Sequence, residues 1–156
     1  MALFTAAEAF EMAMEIEKNG EVFYSAVAAQ ATDAIVKTLF EDLAAQERGH
    51  YAAFQKMAGD VNEPPQPLTE YDEYLVYLKS ALDSALFAGP DKALAMARQA
   101  QDRLMALRMA IGFEKDTLLF FYDLRDMVGA AEHKAVSGII QEEKQHLRRL
   151  ANLLSP

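Results

Sequence analysis

The chain has no cysteine among its 156 residues. That removes disulfides, thiolate-held iron–sulfur or rubredoxin-type centres and cysteine nucleophiles together, so any metal must be held by oxygen and nitrogen. Glycine and proline are few, 7 and 5 residues, and clustered. Ala, Leu, Met, Glu, Lys and Gln dominate instead, which leaves strands little room and favours helices. No apolar run approaches the roughly 20 residues of a membrane-spanning helix. The N-terminal stretch reaches Glu8 and Glu11 before any long apolar run and lacks the basic start of a signal peptide. Positive charge is also short: 15 Lys and Arg stand against 24 Asp and Glu, a net charge of -9. A phosphate backbone or an anionic lipid surface would be repelled, which argues against nucleic acid and membrane as partners. The expectation is one soluble, cytoplasmic, all-α domain over residues 1–156.

Thr5 with Glu8 three residues on reads as a capping box that opens a helix running to about Ala31. Thr32-Asp33 interrupts the pattern, and a second helix is predicted from Ala34 to Met57. The stretch from Gly59 to Thr69 carries three prolines and reads as a loop. A shorter amphipathic helix is predicted from Tyr71 to Phe87, and Gly89-Pro90 stops it. Asp91 is placed to cap a further short segment through Gln99. The third main helix is predicted from Asp102 to Val128 with Gly129 as its stop, and the fourth from Ala131 to Leu154.

The chain repeats itself. At an offset of 97, Ala9, Met12, Ala13, Glu17, Lys18 and Phe23 lie over Ala106, Met109, Ala110, Glu114, Lys115 and Phe120; at an offset of 96, Glu47 and His50 lie over Glu143 and His146. Two helical hairpins of one pattern are therefore expected, joined by a long connection. Glu47 and His50, like Glu143 and His146, stand three apart, which puts each pair on one helical face. That spacing lets each pair grip a metal.

The surroundings of the four glutamates sharpen this reading. Glu47 is flanked along its face by Phe40, Leu43, Tyr51 and Phe54, and Glu143 by Val136, Ile139, Leu147 and Leu150. Glu17 has Phe10, Ala13, Met14 and Tyr24; Glu114 has Leu107, Ala110, Ile111, Leu118 and Phe121. All four acids point where a core should lie. Burying one unpartnered carboxylate costs at least several kcal/mol, and four together also repel one another. Lysines and arginines mostly fall outside these stripes, whereas two divalent cations would balance four carboxylates. Hairpin geometry agrees: the midpoint of Glu17 and Glu47 is 32, and that of Glu114 and Glu143 is 128.5, where the two turn signals stand. Each acid is then about 15 residues, roughly 22 Å of helix, from its turn, which puts the ligands near mid-bundle.

In EKNGEVFY, FEKDTLLFFY and the paired Glu-x-x-His, nearly the whole chain resembles the rubrerythrin branch of the ferritin-like superfamily. The stretch around residues 60–100 is the exception. The resemblance implies a ferritin-like four-helix bundle made of two hairpins, with extra short helices in the connection. It also implies a di-iron site in which one Glu from each of two helices joins a Glu-x-x-His from each of the other two. By position, Glu17, Glu47, His50, Glu114, Glu143 and His146 match the family's ligands and would carry its chemistry. Thr117 stands where rubrerythrins carry an additional Glu, and the cysteine-bound relay of rubrerythrins proper is missing.

The implied function is a non-haem oxidoreductase with two iron ions, or manganese or a mixed pair, that reduces peroxide or dioxygen. Glu47 and Glu143 would bridge the ions, Glu17 and Glu114 would be terminal ligands, and each histidine would cap one metal. Electrons would come from an external donor protein, and the expected assembly is a homodimer or small homo-oligomer. Two other readings are a ferroxidase that feeds iron storage or transfer, and a metal-free helical scaffold. Tyr24 and Tyr122 are candidates to hydrogen-bond a carboxylate or lend an electron, or else to pack in the core. His133 reads as a surface or capping residue, Met12, Met14, Met105 and Met109 as core filler, and Glu70, Asp72 and Glu73 as the solvated start of a helix.

Overall fold

The computed structural model of the chain describes residues 6–61 and 89–155. Among the described residues the secondary structure is entirely helical: α1 (Ala6–Gln30), α2 (Ala34–Asp60), α3 (Pro90–Gln99), α4 (Arg103–Met127) and α5 (Ala130–Leu154). Of the loop expected from Gly59 to Thr69, Gly59 and Asp60 are instead the end of α2; its residues 62–69, the predicted helix from Tyr71 to Phe87, its acidic start and the Thr5 cap lie outside the described residues.

The four long helices form a bundle from two hairpins. α1 turns into α2 through residues 31–33, where the Asp33 carboxylate accepts the amides of Ile35 (2.8 Å) and Val36 (3.3 Å). These two bonds satisfy donors that every helix start leaves without a partner. The second hairpin turns at Val128 and Gly129. Gly129 departs from its expected role: at φ -70° and ψ 171° it is the extended residue that opens α5, and Val128 ends α4. Asp102 caps α4 by accepting the amide of Met105 at 2.8 Å. Asp91 does not cap α3; it lies in the first turn, behind Gly89 and Pro90. Gly89 opens that helix at φ 107°, a conformation that a side chain would strain. α2 extends past Met57 to Asp60, because the prolines begin only at Pro64 and leave those last backbone bonds intact.

Each long helix buries one stripe with spacings of three and four. α1 buries Phe10, Ala13, Ile16, Phe23, Tyr24 and Val27; α4 buries Leu107, Ala110, Phe113, Leu118, Phe121 and Leu124. α1 packs on α2, α3 and α4, while α5 closes the bundle against α4 and α2. Two rings of aromatic contact fill the interior. Phe54 lies between Phe10 (6.1 Å between centroids) and Phe121 (5.1 Å). Tyr24 meets Phe40 at 5.3 Å and Phe113 at 5.9 Å, both edge to face. Burying a side chain of this size contributes roughly 1.5–3 kcal/mol. Of the methionines expected as core filler, Met12, Met14 and Met109 are partly buried against the core. Met105 is exposed instead, because it falls in the first turn of α4 at the bundle's end.

Polar ties fix the hairpins against each other. Arg103 pairs with Asp33 at 2.7 Å and also reaches the Leu153 carbonyl, so the start of α4 holds the α1–α2 turn and the end of α5. Arg149 of α5 pairs with Asp42 of α2 at 2.6 Å. The short α3 lies on α1 through Ala93 and Ala97, and the Gln30 amide donates to the carbonyls of Ala97 (2.5 Å) and Ala100 (3.2 Å). Gly20 is the point of close approach. A Cβ there would lie 2.8 Å from the tip of the Phe113 ring and 3.4 Å from the Glu47 carboxyl carbon, so any side chain would have to displace that ring beside the cluster.

Candidate metal centre

The bundle brings all six sequence-predicted ligands together midway along its length, and all are buried. Glu17 comes from α1, Glu47 and His50 from α2, Glu114 from α4, and Glu143 and His146 from α5. They fall into two groups that share two members. One is Glu17, Glu47, His50 and Glu143; the other is Glu47, Glu114, Glu143 and His146; within each, one donor atom per residue lies within 4.8 Å of the others.

Both histidines present Nδ1 to the centre. His50 Nδ1 lies 2.8 Å from Glu143, 3.6 Å from Glu17 and 4.0 Å from Glu47. His146 Nδ1 lies 2.9 Å from Glu143, 3.4 Å from Glu47 and 3.6 Å from Glu114. The two rings are nearly parallel, 5.6 Å apart. Each Nε2 is held from behind by the opposite hairpin: Glu142 stands 2.6 Å from His50 Nε2, and the Gln46 carbonyl oxygen 2.7 Å from His146 Nε2. An acceptor at Nε2 keeps the proton there and leaves Nδ1 free to ligate, as at metal-bound histidines generally. The sequence reading missed Gln46 and Glu142. The signal was present, because the same offset of 96 that pairs the ligands places these two residues over each other, one position before each Glu-x-x-His.

Tyr24, weighed from sequence as a partner for a carboxylate, donates its hydroxyl to Glu114 Oε1. Burial and the charges of Glu114 and Glu47 push its ionisation well above the usual tyrosine range, so the phenol stays a donor. Tyr122 is half-buried, and its ring meets the Arg125 guanidinium at 5.1 Å and the Lys144 ammonium at 5.3 Å rather than a carboxylate of the cluster. His133 is exposed in the first turn of α5.

The electrostatics of the bare cluster are unfavourable. Among the described residues no lysine or arginine is buried, so only two imidazoles face four carboxylates. Desolvation, followed by the charge of Glu143, raises Glu17 and Glu47 well above the ordinary carboxylate range; the same causes push Glu114 up to about 8. Burial opposes protonation of the histidines, but contact with Glu143 wins at His50 and lifts it to about 9. Contacts with Glu114, Glu143 and Glu47 lift His146 to about 12. Glu143 is the exception: burial works against its charge, yet the two imidazoles hold it well below the usual range.

The buried polar atoms left without a hydrogen-bond partner decide whether this set fits metal. They include the Glu143 oxygens and both histidine Nδ1 atoms, which meet as ion pairs of 2.8 and 2.9 Å but outside hydrogen-bond geometry, together with both oxygens of Glu17 and Glu47, Glu114 Oε2 and the Thr117 hydroxyl. Orphaned buried acceptors are rare and costly in folded proteins. Here all but the last belong to the six clustered side chains. Two divalent cations among them would satisfy these atoms and balance the four carboxylates. Oxygen-rich sites with imidazole suit iron or manganese, whereas structural zinc takes fewer, softer ligands.

A four-helix bundle with a carboxylate–histidine cluster at mid-height defines the ferritin-like class. Within that class, the rubrerythrin family profile matches residues 8–154, and the chain belongs to the rubrerythrin family. Its fold is similar to a solved structure from Thermotoga maritima, provisionally described as a ferritin-like diiron-carboxylate protein. The two share 25% identity and a TM-score of 0.70, over 98% of this chain and 96% of that one. A search of curated proteins returns no match. No described helix is long and apolar enough to cross a membrane.

Proposed function

We propose that this chain is a non-haem di-iron oxidoreductase that reduces peroxide or dioxygen with electrons from a separate donor protein. The observation that carries the reading is the convergence of unpartnered buried oxygens and nitrogens from four helices on one point. Glu17 and His50 would hold one ion and Glu114 and His146 the other, with Glu47 and Glu143 shared. Two ferrous ions held by these residues would supply the two electrons that reduction of an O–O bond requires.

The protein's own residues do the rest. Gln46 and Glu142 orient the imidazoles, and the Tyr24 hydroxyl holds Glu114 and keeps a proton beside it. The aromatic contacts two turns to either side, around Tyr24 and Phe54, keep bulk water out and so strengthen every interaction inside. Conversion of one peroxide to two waters consumes two electrons and two protons. These 156 residues hold no cysteine and so no thiolate-bound relay iron, which supports a reading in which the electrons come from outside them. Manganese or a mixed pair would fit the same donors, and a small homo-oligomer is the assembly we expect.

The test is stopped-flow oxidation of the ferrous protein by peroxide and, separately, by dioxygen. The expected result is oxidation faster than that of free ferrous iron with at least one of them. Rates equal to free iron with both would leave a metal-binding bundle without this activity.

A further inference from the structure

We infer that the two halves of the centre are electrostatically unequal, and that a first divalent cation settles in the half built on Glu17 and His50. This rests on the metal-centre reading above and adds an order of filling to it. Glu47 and Glu143 are common to both halves and cannot separate them. The difference lies in what supports the remaining ligands, at positions that the internal repeat makes equivalent.

The first inequality is behind the histidines. His50 is backed by the carboxylate of Glu142 and His146 by the carboxamide of Gln46, at closely similar distances of 2.6 and 2.7 Å. A carboxylate at Nε2 pulls on the ring proton harder than an amide carbonyl and makes Nδ1 the better donor. The surroundings preserve the contrast. The Gln46 amide donates at 2.8 Å to Asp42, which fixes its carbonyl toward His146, and the charge of Asp42 is met by Arg149 at 2.6 Å. Among the described residues no lysine or arginine pairs with Glu142. One histidine therefore leans on a net negative charge and the other on a neutral assembly.

The second inequality is at the terminal glutamates. Glu114 accepts the hydroxyl of Tyr24, which draws negative charge away from that carboxylate. At the offset of 97 the counterpart of Tyr24 is Phe121, which has no hydroxyl, and both oxygens of Glu17 lack a hydrogen-bond partner. Both differences act in one direction. In the Glu17–His50 half the terminal carboxylate gives up no charge to a hydroxyl and the imidazole leans on a carboxylate rather than an amide, and both features favour a cation there. Glu142 is 56% exposed, and solvent screening places the effect near the lower end of what outer-shell changes do, about tenfold in affinity.

The test uses cobalt(II), whose visible absorption reports binding and whose affinity calorimetry measures. Glu114→Ala leaves only the Glu17–His50 half complete, and Glu17→Ala only the other. The Glu114→Ala protein is expected to bind cobalt about tenfold more tightly than the Glu17→Ala protein. Adding Glu142→Gln to Glu114→Ala should remove that advantage. Adding Gln46→Glu to Glu17→Ala should create one, a gain that damage to the fold cannot imitate. Equal affinities of the two single-site proteins, or an equal loss from Glu142→Gln in both backgrounds, would overturn the order of filling while leaving the metal centre standing. Wild-type protein that takes up no cobalt would overturn both.

Discussion

The middle of the bundle and the layers to either side of it are buried alike but built on opposite principles. Around Phe10, Phe54 and Phe121, and again around Phe23, Tyr24 and Phe40, side chains fill space and meet ring to ring. Between them, four carboxylates and two imidazoles are pressed together with most of their inward atoms unpartnered. Apolar layers are stable as they stand; the polar layer becomes favourable only with something bound. The aromatic layers thus supply the stability that lets an intrinsically unfavourable cluster persist in the middle.

That contrast can be broken in four ways. Loading both halves with ferrous or cobalt(II) ions should stabilise the protein most, by about 4 kcal/mol for each site held at a thousand times its Kd, read from urea unfolding. Phe121→Ala should cost about 3–5 kcal/mol with or without metal, because it opens a cavity in an apolar layer. Glu17→Leu should do the reverse, raising the stability of the metal-free protein by about 1–2 kcal/mol while the stabilisation by metal falls. A loss of stability on metal-free Glu17→Leu would mean that the carboxylate is satisfied without a cation.

The smallest effect is one of pH. Metal-free native protein keeps a proton on Glu114 between 4.5 and about 8, and on His50 between 6.5 and about 9, where the unfolded chain has released them. Stability from such groups is complete below the unfolded values and is lost as pH rises through the folded ones. The melting temperature of the metal-free protein should therefore fall from about pH 6 to about pH 9. Glu143, shifted the other way, contributes its change only below 4.5 and does not enter this range. Bound cations displace the protons, so the loaded protein should lose this decline. Calorimetry at the two pH values, with and without metal, checks both trends.

Much of this was legible in the sequence because the centre violates the pattern around it. An acid on an apolar stripe is conspicuous, and four of them with paired histidines mark both the helices and their register. Asp33 was readable as a turn because its side chain acts on its own backbone. Gly129 was readable as a turn but not as the opening of α5, since the same residue can end one helix or begin the next. Asp91 looked like a cap until Pro90, preset for a first helical turn, moved the start two residues earlier and left Gly89 as the cap. Gln46 and Glu142 stood beside the ligands on partly exposed faces, and only tertiary packing shows that each supports the histidine of the opposite hairpin. The ties Arg103–Asp33 and Arg149–Asp42 join residues far apart in sequence, and no local signal announces them.

The most direct test of the central claim is the metal content of protein purified under iron-replete conditions, measured together with the absorption spectrum of the oxidised form. The expected result is two metal ions per chain, one for each group of ligands, lost together in Glu47→Ala. Metal-free protein that is no less stable than the same protein after incubation with ferrous iron would contradict it.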